Sequence, residues 1–381
     1  MSAFMLIPFN KPYFVGTETR YIEEAVRSGK LSGDGAFTRR CEQWLQHHLG
    51  VPRVLLTTSG TDALELAALL LDLEPGDEVL LPSFTFSSTA TAFALRGAKL
   101  IFVDSSSDSP AMDTTQLEAL VTPRTRAIVP VHYAGVACDM EAVRAVAERH
   151  GLDVVEDAAQ ALDGNFRGQP LGTLGALGAF SFHETKNVTA GGEGGMLAIT
   201  DLQLVARAEI LREKGTNRAA FFRGEVAKYS WVDIGSSFLP AEINAAFLWA
   251  QLEDLEAIQQ RRRAIWVRYF AELQPLAQLG VGLPFVPDYT AQNGHLFYLV
   301  CRNLTERTAL IAELKQQDIT AIFHYQPLHS SPYYASRHDG RPLPWAEHYA
   351  DCLVRLPLYT ELEESQQQRI IQAVLRFYQV L

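Results

Sequence analysis

The sequence predicts an α/β protein, with a large domain on a mostly parallel sheet followed by a small α/β C-terminal domain. Three observations carry that prediction. Short runs of consecutive apolar residues recur along the chain, as in strands buried on both faces. Amphipathic segments bounded by glycine, serine and proline separate them, the alternation that lays helices over a parallel sheet. The 381 residues, 48% hydrophobic and 20% charged, suffice for two cores.

Residues 1–50 mix turn signals with a short amphipathic helix over 18–28 and a second over 37–49. The linking Gly29-Lys30-Leu31-Ser32-Gly33-Asp34-Gly35 is too rich in glycine for either helix and reads as a surface loop. A strand over 54–58 runs through Ser59-Gly60-Thr61-Asp62 into a helix reaching 71. Strands over 78–81, 99–104, 127–131 and 153–157 then alternate with helices over 88–95, 114–120 and 139–149. The apolar run from Gly178 ends in Ser181-Phe182-His183-Glu184-Thr185-Lys186-Asn187, and Gly191-Gly192-Glu193-Gly194-Gly195 follows. A helix over 209–214 and an irregular stretch over 229–240 lead to a long helix over 241–273. The domain boundary is expected near residue 250, dividing the chain into 1–250 and 251–381. Strands over 295–301 and 321–325, helices over 305–317 and 363–377, and a turn-rich segment over 325–332 make up the second part.

Ligands of parallel α/β sheets bind at the carboxyl ends of the strands. That rule selects 58–61, 83–86, Asp104, His132 with Tyr133, 157–160 and 181–186 together. A lysine amine with its reference pKa of about 10.4 is protonated and non-nucleophilic near neutral pH, so covalent reactivity requires partial burial or a fixed electrophile. Lys186 has a suitable setting, because the four glycines over 191–195 let backbone pass close to a ligand. The turn at Gly60 and Thr61 opens a helix whose first N–H groups can hold a phosphate, although plain N-capping by Ser59 or Thr61 accounts for the same residues. Asp157 at a strand end can cap a following helix or face a cationic ring nitrogen. Phe86, read alone, is a core phenylalanine.

A net charge of −11 argues against general affinity for nucleic acid or acidic membranes. No apolar run approaches the roughly 20 residues of a membrane span, and residues 1–8 lack the charged start and cleavage site of a signal peptide. A cytoplasmic protein is expected. Cys41, Cys138, Cys301 and Cys352 are far apart without a C-x-x-C pair, so neither a metal site nor a disulfide framework is expected.

Ser181-x-His183-x-x-Lys186-Asn187 with Gly192-Glu193-Gly194-Gly195, the 29–35 loop, His132-Tyr133-Ala134-Gly135 and Arg212-Glu213-Lys214-Gly215-Thr216-Asn217-Arg218 resemble the sugar aminotransferases of the DegT/DnrJ/EryC1/StrS family. The resemblance runs from about Pro8 to the C-terminus. It implies aminotransferase fold type I, similar to aspartate aminotransferase, and pyridoxal 5'-phosphate bound covalently by Lys186. By the same resemblance Asp157 pairs with the pyridine nitrogen, Gln160 with the phenolic oxygen, and Phe86 stacks on the ring. Gly60, Thr61 and Ser181 hold the phosphate; Ser237, where many relatives have asparagine, reaches the partner subunit's phosphate. His183, Asn187, Tyr325 and His329 are implied to face substrate. A homodimer with shared active sites is implied, with the 29–35 loop at its interface. The implied reaction moves the amino group of L-glutamate to dTDP-4-keto-6-deoxy-D-glucose; a 3-keto sugar nucleotide is the alternative. A related dehydratase would carry histidine in place of Lys186, a non-catalytic regulator would normally add a DNA-binding segment, and a nicotinamide enzyme would show G-x-G-x-x-G after its first strand.

Overall fold

The computed structural model describes residues 6–380; residues 1–5, the start of the segment read for a signal peptide, and residue 381 lie outside the described residues. Strands β1 (Arg53–Thr57), β2 (Glu78–Pro82), β3 (Lys99–Val103), β4 (Thr125–Ile128) and β5 (Asp153–Asp157) come first, followed by a short hairpin of β6 (Asn165–Phe166) and β7 (Gln169–Pro170) and then β8 (Leu177–Ser181) and β9 (Gly195–Ile199). Apart from the hairpin they form one seven-stranded sheet in the order β1-β9-β8-β5-β4-β2-β3. Only β9 runs against the rest, pairing antiparallel with both β1 and β8 while the other contacts are parallel.

Side chains alternate across a strand, and successive residues here enter different cores. Leu56, Leu80, Ile128, Val154 and Met196 pack into one cluster with Phe37, Leu45, Val143 and Leu248. Their neighbours Leu55, Val79, Ala127, Val155 and Leu197 pack into a second with Leu64, Phe93 and Tyr349. Burial on both faces explains why these strands read as unbroken apolar runs. A third cluster gathers Ile7 with Ile265, Tyr269, Phe297, Leu310 and Ile371. Above it lies a three-stranded antiparallel sheet in which β13 (Leu353–Leu356) separates β11 (Phe297–Val300) from β12 (Ile322–Phe323). The two-residue strand β10 (Thr290–Ala291) extends the β6–β7 hairpin.

Several elements differ from expectation. The long helix is two, Glu242–Glu253 and Leu255–Glu272, interrupted at Asp254, whose φ of −107° and ψ of 11° leave the helical region. The helix expected over 209–214 spans Leu202–Arg212 and starts where the Asp201 carboxylate accepts from the Gln203 N–H. A 3-10 turn, Thr114–Gln116, precedes the short helix Leu117–Leu120. β9 went unrecognised because its start is hidden in the glycine run. Helix Pro344–Cys352 and β13 also went unrecognised, because they abut without a turn residue between them. Among the described residues, no helix is long and apolar enough to cross a membrane.

Candidate active site

The carboxyl ends of the sheet strands open into a cavity of about 580 Å³, lined from the turn after β1, the ends of β5 and β8, and the small sheet. Each side chain is delivered by a local turn. β8 ends at Ser181, and the chain folds back through Phe182 N–H to Gly194 O (2.7 Å), Glu184 N–H to Gly192 O (2.9 Å) and Ala190 N–H to Phe182 O (2.9 Å). Gly191 and Gly192 permit this closure with φ of 82° and 126°, in the region that side-chain-bearing residues avoid. Lys186 is held at the crest, its N–H donating to His183 O (2.9 Å).

The Lys186 amine makes no hydrogen bond and no ion pair within 4 Å among the described residues, although its side chain lines the cavity and protein encloses it. Enclosure pushes its pKa down to about 8; Asp157 and Glu193 oppose the drop and the Arg355 guanidinium adds to it. The amine is thus partly neutral near physiological pH, which a nucleophile or proton carrier requires.

Asp157, 6% exposed, ends β5. No helix follows it, so helix capping is set aside. One carboxylate oxygen accepts from Thr89 Oγ1 (2.7 Å), the other from the Ala159 N–H (3.1 Å), and no cation lies within 4 Å among the described residues. Gln160 accepts from the Ala134 N–H (2.7 Å) and donates to the Tyr325 hydroxyl (3.0 Å), leaving one amide hydrogen spare. Phe86 is 58% exposed and lines the cavity, 6.2 Å from Tyr325 between ring centres. It is not the core residue its sequence context suggests; Phe84, 1% exposed, fills that place.

At the turn after β1, Ser59 caps helix Gly60–Leu70 by accepting from the Asp62 N–H (3.0 Å). The Gly60 and Thr61 N–H groups, at the first helical positions, have no intrahelical acceptor. Two close approaches shape this floor. A Cβ on Gly60 would stand 2.8 Å from Ser181 Cβ, and one on Gly195 would stand 2.3 Å from the Ser59 carbonyl carbon. Thr61 Oγ1 and Ser88 Oγ, 2.7 Å apart, close the side. Free N–H groups, hydroxyls and a helix dipole in one cradle fit a phosphate. With a buried unpaired carboxylate and an unpaired amine in the same cavity, the residues fit a phosphorylated, cationic aromatic aldehyde.

Other expected residues fall elsewhere. His183 lies in the cavity wall, its Nδ1 against Thr185 Oγ1 (2.9 Å) and its Nε2 3.6 Å from Glu193. Asn187 points away from the cavity: its amide donates to Gln259 Oε1 (2.8 Å) and Asn293 O (3.0 Å) and its oxygen faces His295 Nδ1 (2.8 Å), leaving nothing for substrate. His329 is buried outside the cavity lining, between Ser83 Oγ (2.7 Å) and Glu347 (3.4 Å). Ser237 is exposed and outside the cavity of its own chain. Two wall residues, Arg355 and His295, were missed as site residues. Arg355 stands on β13 with its guanidinium 4.6 Å over the Phe9 ring and its buried Nε without a hydrogen-bond partner. Its signal was a lone arginine inside the apolar run 353–356.

The model of the DegT/DnrJ/EryC1/StrS aminotransferase family matches residues 13–375. The chain belongs to that family. Among curated relatives, the pleiotropic regulatory protein of Geobacillus stearothermophilus is 34% identical over 363 residues, 94% of each chain. Among solved structures, DesV of S. venezuelae, in complex with a ketimine intermediate, is 32% identical with a TM-score of 0.89, covering 98% of this chain and 99% of that one. Spr1654 of Streptococcus pneumoniae, assigned as a sugar aminotransferase and solved in its PLP form, is 27% identical with a TM-score of 0.89 over 99% and 100%. The fold of this aminotransferase is therefore fold type I.

Proposed function

We propose that this aminotransferase uses pyridoxal 5'-phosphate to carry out the reaction L-glutamate + dTDP-4-keto-6-deoxy-D-glucose → 2-oxoglutarate + dTDP-4-amino-4,6-dideoxy-D-galactose, as a dTDP-4-amino-4,6-dideoxygalactose transaminase. The observation that carries the transamination is the enclosed, unpartnered Lys186 amine sharing a cavity with the buried, cation-free Asp157. The keto sugar is supported by the motif resemblance, and a sugar substrate in general by the relatives assigned to sugar chemistry.

When bound, the cofactor supplies an aldehyde that condenses with amines and a ring that delocalises carbanion charge. Lys186 would hold it covalently, the Gly60 and Thr61 N–H groups and the Ser181 hydroxyl its phosphate, Asp157 its ring nitrogen, Gln160 its phenolic oxygen and Phe86 its ring face. Lys186 then works as proton carrier. With its pKa near 8, the amine takes the α-proton of the amino donor and gives it up again within the site, and the same group runs the transfer in reverse for the keto sugar. Arg355 lines the cavity with no ion pair among the described residues, only a long bond from one terminal nitrogen to Phe323 O (3.4 Å), so its remaining terminal N–H groups suit a carboxylate or phosphate oxygen. His183 and Tyr325 border the substrate space, while Asn187 and His329 brace it from behind.

The remaining expectations join this reading. The helix break at Asp254 and the separate third core support a division into 1–250 and 251–381. Exposed apolar residues around Ser237 support a homodimer in which that serine serves the partner's site; a cytoplasmic location rests on the sequence reading alone. NMR of the sugar made from glutamate and dTDP-4-keto-6-deoxyglucose tests the assignment: an axial 4-amino product is expected, and no turnover there but amination of a 3-keto sugar would replace it. The relative named as a regulatory protein gives a second reading, a non-catalytic regulator. Absence of any glutamate-dependent change in the cofactor spectrum would favour it.

A further inference from the structure

The cavity wall holds one histidine whose tautomer can be worked out from its neighbours. The Asn293 carbonyl can only accept, so the Asn187 atom that meets it at 3.0 Å is the amide nitrogen. Gln259 agrees: its own nitrogen must face the Leu162 carbonyl (2.9 Å), which turns its oxygen toward the Asn187 nitrogen (2.8 Å). The Asn187 oxygen is left facing His295 Nδ1 at 2.8 Å, and Nδ1 must carry the hydrogen. The backbone of His295 is pinned as well, its N–H donating to Asn293 Oδ1 (3.0 Å). His295 lines the cavity, its Nε2 makes no hydrogen bond among the described residues, and that atom is not among the sealed, unsatisfied ones. A second proton on the ring is disfavoured: burial is the main cause, and the charges of Lys186, Arg262 and Arg355 add to it.

We propose that His295 Nε2 is a fixed hydrogen-bond acceptor that reads a hydroxyl of the keto sugar, which makes His295 a specificity-determining residue of the sugar half-reaction. The proposal rests on the transaminase reading above and names the substrate feature that the site recognises. Apart from its reacting amine, glutamate offers carboxylates, which only accept and gain nothing from a lone pair; the keto sugar offers hydroxyl donors at C2 and C3. A buried acceptor left without its donor costs affinity, so the wall discriminates against a substrate that lacks the matching hydroxyl.

The test uses His295→Asn in the holoenzyme, since the shorter amide can still donate to Asn187 while removing the acceptor at Nε2. The glutamate half-reaction, followed by the change in cofactor absorbance, is expected to stay within about threefold of wild type. The keto-sugar half-reaction is expected to lose roughly 10- to 100-fold in kcat/KM, the range of an unpaired buried polar group. Of two analogues, one lacking the C2 hydroxyl and one the C3 hydroxyl, a single one should lose a similar factor with wild type and little more with His295→Asn, which identifies the hydroxyl being read. In 15N spectra, the wild-type histidine ring should report protonated Nδ1 and bare Nε2 between pH 6 and 8, and Nε2 should shift when product binds. Equal losses in both half-reactions, or unchanged Nε2 with product bound, would reduce His295 to a brace for the lysine loop and overturn the proposal. Failure of the wild-type glutamate half-reaction would instead refute the transaminase reading.

Discussion

Lys186 links structure to a pH effect that can be measured without substrate. Its pKa falls from an ordinary 10.5 to about 8 in the folded chain, so below pH 8 folding either encloses an ammonium or gives up a proton. The cost is roughly 3 kcal/mol, from about 1.4 kcal/mol per pKa unit. The unfolded chain binds more protons between pH 8 and 10.5, so stability rises across that window. In urea titrations of the cofactor-free protein, Lys186→Met is expected to be the more stable at pH 7 by up to that amount, with the gap closing as pH approaches 10.5. The same variant is expected to lose transamination, followed as 2-oxoglutarate formation. In the proposed mechanism Asp157 acts through charge rather than bulk, and Asp157→Asn keeps the bonds to Thr89 and Ala159 within reach while removing the anion. A loss of about 10²- to 10³-fold in kcat is expected, as for other single preorganised electrostatic contacts, with the fold intact by circular dichroism. The placement of Lys186 and Asp157 in the cavity was legible because strand ends select them; that of Arg355 was not, since one arginine in an apolar run says nothing of direction until β13 is placed beside β11 and β12.

At the scale of elements, the floor of the site is made by β9 entering between β1 and β8, where Gly195 is level with Thr57 on one side and Ser181 on the other. A methyl group on Gly195 would lie 2.5 Å from the Gly60 nitrogen, so Gly195→Ala must push the start of helix Gly60–Leu70 outward. Overpacking of this kind costs about 1–3 kcal/mol. A lower urea midpoint and weaker cofactor binding in a spectroscopic titration are expected together. A lowered midpoint with unchanged cofactor affinity would separate this contact from the phosphate cradle. The same crossing explains why β9 was not anticipated. Its first residues are glycines demanded by the neighbouring backbone, and glycine carries no strand signal of its own.

For the whole molecule, a row of apolar side chains remains uncovered: Trp231 is 80% exposed, Phe222 68% and Tyr229 53%, close in sequence to Ser237. Large apolar side chains left this exposed within one short stretch of chain are the kind of surface that a partner covers. Sedimentation at micromolar concentration is expected to give a dimer, and Trp231→Asp a monomer with reduced turnover; a wild-type monomer with full activity would refute shared sites. By itself the sequence determined the alternation of buried strands and helices, the parallel sheet, and the lysine and aspartate at its edge, because each follows from local periodicity and turn chemistry along a few neighbouring residues. Only the tertiary structure decided that Phe86 faces the cavity, that Asn187 and His329 turn inward, and that Arg355 and His295 complete the wall. Those outcomes depend on which backbone carbonyl or ring arrives from more than a hundred residues away, and spacing along the chain does not encode them.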